Sequence, residues 1–264
     1  MGSLSGWFAE KCHGGGNTVA VIGSGGKTSL IWRLAAGPPA LNSMRRVLVT
    51  PTTKMYVPKE KLYDSYCNGV PPEPLPGITL AGLFNEASGK LESLPLDELE
   101  RICPGYDLVL MEADGARGLP LKAWADNEPV IPPFTAITVG VLPLWPLGKP
   151  VSEETIHRLQ LFLALTGAVR GEPLKQDHLL TLIAGRSGSP HSGLFAKARG
   201  RKILFFNQME NEDALARARE LTELLPRQFR EGLDGIIAGS VRDNWAEEIN
   251  FTANLAFIPK EIQY

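Results

Sequence analysis

The chain has 264 residues, 44% of them apolar and 21% charged, which supplies a sizeable core and excludes a disordered protein. Its 27 basic and 29 acidic side chains give a formal net charge of -2 without long runs of one sign. That balance excludes a protein held on nucleic acid or anionic lipid by bulk charge. The longest uncharged run, Pro129 to Gly148, is broken by Pro132, Pro133, Pro143 and Pro146 and does not read as a membrane span. The N-terminus carries charges where a signal peptide needs its apolar stretch. Cys12, Cys67 and Cys103 form neither a disulfide framework nor a CxxC pair. These features predict a soluble protein of the reducing cytoplasm.

In chain order, Leu4 to Lys11 reads as a short helix ended by Gly14 to Gly16. Thr18 to Ile22 is apolar after its first residue, as a strand buried on both faces is. A glycine loop follows, then a helix from Thr28 to Ala36 closed by Gly37-Pro38-Pro39. Arg46 to Thr50, Asp107 to Met111 and Ala136 to Leu142 are further buried strands. Glu153 to Leu165 has helical periodicity through Ile156, Leu159, Phe162 and Leu163. Gln176 to Ala184 is a helix stopped by Gly185, Lys202 to Phe206 a strand, Glu212 to Leu225 a helix and Gly235 to Ala238 a strand; Leu255 to Ile258 adds an edge strand. Strands alternating with helices predict a three-layer αβα fold with a mainly parallel sheet, P-loop NTPase-like, in a single domain over residues 1–264 with an inserted subregion at 57–104.

In such sheets ligands bind at the carboxyl ends of the strands. After the first strand stands Gly23-Ser24-Gly25-Gly26-Lys27-Thr28-Ser29. Glycines let backbone N–H groups converge on an anion, and the helix N-terminus adds partial positive charge. Lys27 is then placed to bridge the β and γ phosphates, and the Thr28 hydroxyl to ligate Mg²⁺. The spacing is tighter than the usual P-loop, which has glycine where this chain has Val21.

After the second strand, Thr52, Thr53 and Lys54 suit either phosphate and Mg²⁺ contacts or a polar turn. After the third come Glu112 and Asp114, expected to share a face toward the metal, with Arg117 and Lys122 offsetting negative charge. After Lys202 to Phe206 come Asn207 and Glu210, at the place of the Asn-Lys-x-Asp of GTPases but with Gln208 for the lysine. They read equally as a base pocket finished by Gly239-Ser240 or as an acidic helix start. His13, His157, His178 and His191 have no partners at zinc spacing, and Pro190-His191-Ser192-Gly193 reads as a mobile loop.

Val21 to Thr28, Thr50 to Met55 and Glu112 to Ala116 together resemble the YqeC-type family of accessory proteins of selenium-dependent molybdenum hydroxylases. Glu128-Pro129-Val130-Ile131-Pro132, His157-Arg158 and the Asn207 region extend the likeness over most of the chain, while Lys54 stands where the family pattern has a histidine. The resemblance implies a nucleotide-binding protein that helps mature a molybdenum-cofactor enzyme. With the residues it gives a slow NTPase taking Mg²⁺ and ATP or GTP. Its partners are the nucleotide and a molybdenum hydroxylase or its pterin cofactor. The catalytic candidates are Lys27, Glu112 and Asp114, and the metal candidates Thr28 and Glu112. The nucleotide candidates are Gly23 to Ser29, Thr52, Thr53, Asn207 and Glu210. The tight glycine loop also resembles the ATP loop of the much longer Mur ligases, which implies an ATP-dependent kinase or ligase as the alternative. A non-enzymatic carrier of a phosphorylated pterin is the third reading.

Overall fold

The computed structural model describes residues 2–12, 16–37, 45–186 and 192–249. The chain opens with β1 (Gly2–Ser3), α1 (Leu4–Cys12), β2 (Thr18–Gly23), α2 (Lys27–Ala36), β3 (Arg46–Pro51) and β4 (Lys54–Tyr56). It continues with β5 (Ser65–Asn68), β6 (Gly77–Asn85), β7 (Lys90–Glu92), α3 (Leu96–Ile102), β8 (Leu108–Glu112), β9 (Leu121–Lys122) and β10 (Ile137–Pro143). The rest is β11 (Ile156–His157), α4 (Leu159–Thr166), α5 (Gln176–Ala184), β12 (Arg201–Asn207), α6 (Glu212–Leu224), α7 (Arg227–Glu231), β13 (Gly235–Ser240) and β14 (Trp245–Glu248).

One large sheet organises the molecule. Its parallel part runs β13-β12-β10-β2-β8-β3-β6, with β5 parallel on β6. Antiparallel strands finish both sides: β14 and then β1 beyond β13, β7 and then β4 beyond β6. Side chains alternate between two apolar cores, as the period of two requires. Val19 and Val21 of β2 enter one core with Leu30, Ile31 and Leu34 of α2, whereas Ala20 and Ile22 enter the other with residues of α3 to α6. Helices therefore cover both faces, which is why the central strands are continuous apolar runs.

β2 sits where the chain changes direction across the sheet. From β2 it crosses by α2 to β3, two places away, returns to β8, and then moves to the opposite side of β2 at β10. Such a switch point leaves a crevice at the carboxyl end of the strand, because the following connections diverge to opposite sides. The glycine loop leaves β2 there.

The helix expected from residue 153 begins instead at Leu159. Ile156 and His157 pair with Leu121 and Lys122 as a two-stranded ladder, and Arg158 takes φ 61 to enter the helix. The expected apolar face survives, with Ile156, Leu159 and Phe162 buried. Within 57–104, β5, β6 and β7 hydrogen-bond into the large sheet. His13, His191, the Gly14-Gly15 and Pro38-Pro39 helix stops and the edge strand expected at 255–258 lie outside the described residues. No helix among the described residues is long and apolar enough to cross a membrane.

Candidate functional site: an anion cradle after β2

The loop between β2 and α2 closes tightly because glycine stands where other residues cannot. Gly23 has φ 93, and a Cβ there would lie 2.3 Å from the Val141 carbonyl oxygen of β10. Gly26 has φ 118, and a Cβ would meet the Asn207 side-chain nitrogen at 2.4 Å. The Ser24 N–H donates to Val141 O at 3.0 Å, while the Gly23 N–H donates to Asp114 Oδ2 at 3.0 Å. The first α2 amide with an internal acceptor is that of Leu30, on Gly26 O at 2.9 Å. Among the described residues the N–H groups of Gly25 to Ser29 donate to no protein acceptor. Five successive free donors at a helix N-terminus form a cradle for negative charge.

Lys27 lies under this cradle. Its Nζ donates to Gly23 O at 2.8 Å and stands 3.2 Å from Asp114 Oδ1, with 5% of the residue exposed. The Thr28 hydroxyl donates to Glu112 Oε2 at 2.7 Å. Burial pushes the Glu112 carboxyl up, against the pull of Lys27 and the Thr28 hydroxyl.

Glu112 and Asp114 both neighbour Lys27 and keep different partners. β8 ends at Glu112, whose side chain lines the cleft with Lys27 and Thr28. Asp114 is wholly buried beneath the loop, where Oδ2 accepts from Gly23 and from Trp124 Nε1 at 2.7 Å and faces Lys122 Nζ at 3.1 Å. β8 ends two residues before Asp114, yet Met111 and Ala113 enter the same core, so the alternation runs on past the last ladder residue. Asp114 thus anchors the loop, and Glu112 is the acid that lines the cleft.

Two other expected ligand groups, those of Thr52 and Asn207, already have protein partners. The buried Thr52 hydroxyl donates to Val130 O at 2.6 Å. The Thr53 hydroxyl is buried and has no hydrogen-bond partner. Asn207 is 3% exposed and ties the loop to β13, donating to Gly25 O at 2.8 Å and accepting from the Val241 N–H at 3.1 Å. It shapes the cradle and also lines the smaller of the two clefts that meet there. Glu210 is well exposed, 4.0 Å from Arg242.

Two clefts meet at the loop. One, of about 760 Å³, is lined by Gly25 to Ser29, Glu112, the 115–120 turn and the side chains of Lys54, Tyr56, Lys90 and Trp145. The other, of about 540 Å³, shares Gly26, Ser29 and Gln208 with it and continues past Trp32, Arg33 and Leu62 to Ser240 and Arg242. Both are large enough for small-molecule ligands. Among the described residues no group of three or more His, Cys, Asp or Glu forms a metal cage.

Beneath the loop runs a chain of alternating charges that the sequence did not reveal as connected. Lys122, wholly buried, links Asp114 to Glu128 at 2.9 Å and donates to Gly115 O at 2.6 Å. Arg158 closes on Glu128 with both terminal guanidinium nitrogens, Nη2 to Oε1 at 2.8 Å. Burial raises the Glu128 carboxyl, but hydrogen bonds from Arg158 and Lys122 outweigh it and bring it down to about 2. Burial and the charges of Arg158, Lys122 and Arg117 push neighbouring His157 down to about 4. A lysine inside Leu121-Lys122-Ala123-Trp124 was the available signal: so apolar a setting requires an acid partner.

A sequence profile described as YqeC protein matches residues 19–160. The chain belongs to the YqeC family. The YqeC match takes in Gly23 to Ser29, Glu112, Asp114, Lys122, Glu128 and Arg158, and leaves Asn207 and Glu210 outside it. The chain is also similar to a protein of Escherichia coli (strain K12) titled uncharacterized protein YqeC, 30% identical over 237 residues, covering 86% of this chain and 88% of that protein. No solved structure matches.

Proposed function

We propose that the chain binds a Mg²⁺-nucleoside triphosphate, ATP or GTP, at the loop after β2 and hydrolyses it slowly. In this reading the fold is P-loop NTPase-like and the protein a nucleotide-dependent accessory factor. The observation that carries it is the run of uncommitted N–H groups from Gly25 to Ser29, above Lys27 and beside the Thr28–Glu112 pair. The position of β2 at the sheet's switch point supports it. The client, a selenium-dependent molybdenum hydroxylase or its pterin cofactor, follows from the family resemblance.

The donor set fits Mg²⁺: a hydroxyl and a carboxylate, both hard oxygen ligands, 2.7 Å apart beside the cradle. Thr28 and Glu112 would hold the cation, which when bound neutralises charge on the phosphate oxygens. The amides of Gly25 to Ser29 orient the phosphates and stabilise charge that develops on them. Lys27, whose ammonium meets Gly23 O and Asp114 beside the cradle, would supply positive charge to a phosphate oxygen bound there. The smaller cleft, which Ser29, Trp32 and Arg242 help to line, would hold the nucleoside. Glu112 already accepts from Thr28, and Asp114 is enclosed by Lys27, Lys122 and Trp124. With Glu112 given to the cation and Asp114 to the loop, neither would be free to activate water, and the hydrolysis expected is slow.

Thermal unfolding with ATP, GTP and a phosphorylated pterin, each with and without Mg²⁺, tests this reading. A nucleotide at 100 times its Kd adds about 2.7 kcal/mol to stability, so a Mg²⁺-dependent rise in Tm is expected with one or both nucleotides. Stabilisation by the pterin alone, with neither nucleotide acting, would replace this reading with the carrier's role.

A further inference from the structure

The larger cleft carries more positive charge than the cradle needs. Lys27, Lys54, Lys90 and Arg117 line it, against Glu112 as its acid. Lys27 faces Asp114 at 3.2 Å and Lys54 meets Glu92 at 2.7 Å. Among the described residues Lys90 and Arg117 join no ion pair, and Lys90 lies 4.3 Å from the centre of the Tyr56 ring. Arg117 is exposed on the 115–118 turn at φ 51, a backbone conformation that costs an arginine roughly 1 kcal/mol.

We propose that the part of this cleft away from the loop binds a second, anionic substrate, a small phosphate or carboxylate compound, with Arg117 and Lys90 as its charge partners. The inference rests on the nucleotide reading: with the phosphates on the Gly25 to Ser29 amides and the nucleoside in the smaller cleft, the space around Tyr56, Lys90, Arg117 and Trp145 stays open beside the terminal phosphate. Tyr56 and Trp145, 64% and 50% exposed, give that space aromatic walls. Two unpaired cations facing a triphosphate invite an acceptor whose own negative charge would otherwise be repelled. The site then serves transfer of the terminal phosphoryl group: an anionic oxygen of the acceptor forms a new P–O bond, the bond to the β-phosphate oxygen breaks and the nucleoside diphosphate leaves with the electron pair, with hydrolysis as the unassisted background.

The test is calorimetric titration of phenyl phosphate and of benzoate into the full chain saturated with Mg²⁺ and whichever nucleotide binds. At least one probe is expected to bind without displacing the nucleotide, and the two arms separate a phosphate from a carboxylate acceptor. Arg117→Ala and Lys90→Ala are each expected to weaken the probe about tenfold, the worth of one charge-assisted contact. Nucleotide affinity is expected to stay within about twofold in both variants, on the same scale. Probe binding that is absent, competes with the nucleotide or is indifferent to Arg117→Ala overturns the second subsite while leaving the nucleotide reading intact. A variant that loses nucleotide and probe together assigns these cations to the triphosphate and overturns it as well. If no nucleotide binds, the reading and the inference fall together.

Discussion

Replacing Asp114 by asparagine keeps the shape of the side chain and removes its charge. The carboxylate accepts from Gly23 and Trp124 and faces Lys27 at 3.2 Å and Lys122 at 3.1 Å, all within the protein interior. Removing one member of a buried ion pair costs about 3–5 kcal/mol, because the partner charge is left without compensation. Two pairs share this acid, and contacts in one network do not add. Lys122 also keeps Glu128 at 2.9 Å and Gly115 O at 2.6 Å. The lower end therefore applies, about 3 kcal/mol. At about 2–4 °C per kcal/mol for a chain of this size, Tm should fall by roughly 6–12 °C. Scanning calorimetry and urea unfolding of Asp114→Asn without ligand measure this. A fall of less than about 2 °C would refute the anchoring role, since one intact contact of this kind is worth more than that. Unchanged stability together with lost Mg²⁺ dependence would return Asp114 to the metal's surroundings.

Two further predictions concern pH. Glu128 drops from an ordinary 4.5 to about 2 on folding. Its contribution, about 3 kcal/mol from a shift of that size, is complete above pH 4.5 and lost as pH falls through 2; acid titration of unfolding free energy should show this, and Arg158→Leu should abolish most of it. His157 drops from 6.5 to about 4, so the unfolded chain takes up its proton first as pH falls. Stability should decline from pH 6.5 towards 4, and His157→Gln should flatten the decline; an unchanged slope in the variant would assign it elsewhere.

The sheet's centre is legible in the sequence because its strands are buried on both faces. Residues 18–23, 46–51, 108–112, 137–143, 201–207 and 235–240 are strands where short apolar runs predicted them, within one or two residues. The region between β3 and β8 is not legible in the same way. β4 and β5 alternate exposed or half-buried with more buried residues and carry Lys54, Tyr56, Ser65 and Asn68, so no continuous apolar run marks them. β6, Gly77 to Asn85, is an apolar run, yet glycines and a threonine interrupt it.

Within the candidate site, the glycine loop and the Thr28–Glu112 contact follow from the order of residues at strand ends. The fate of Asp114 does not. Its ties to Trp124 and Lys122, residues reached only after the chain has turned back, are contacts that the order of residues does not show. Asn207 likewise appears as a base-pocket candidate in one dimension and as a tie between Gly25 and Val241 in three.

Calorimetric titration of Mg²⁺-ATP and Mg²⁺-GTP into the wild-type chain, Thr28→Val and Lys27→Ala measures the central claim most directly. One-to-one binding is expected for at least one nucleotide, weakened about tenfold or more in each variant, as loss of a charged or metal-bound contact requires. Thr28→Val, nearly the same in shape, guards against a folding defect in Lys27→Ala. Binding of neither nucleotide to the wild-type chain, or equal binding to all three proteins, would contradict the anion cradle at Gly23 to Ser29.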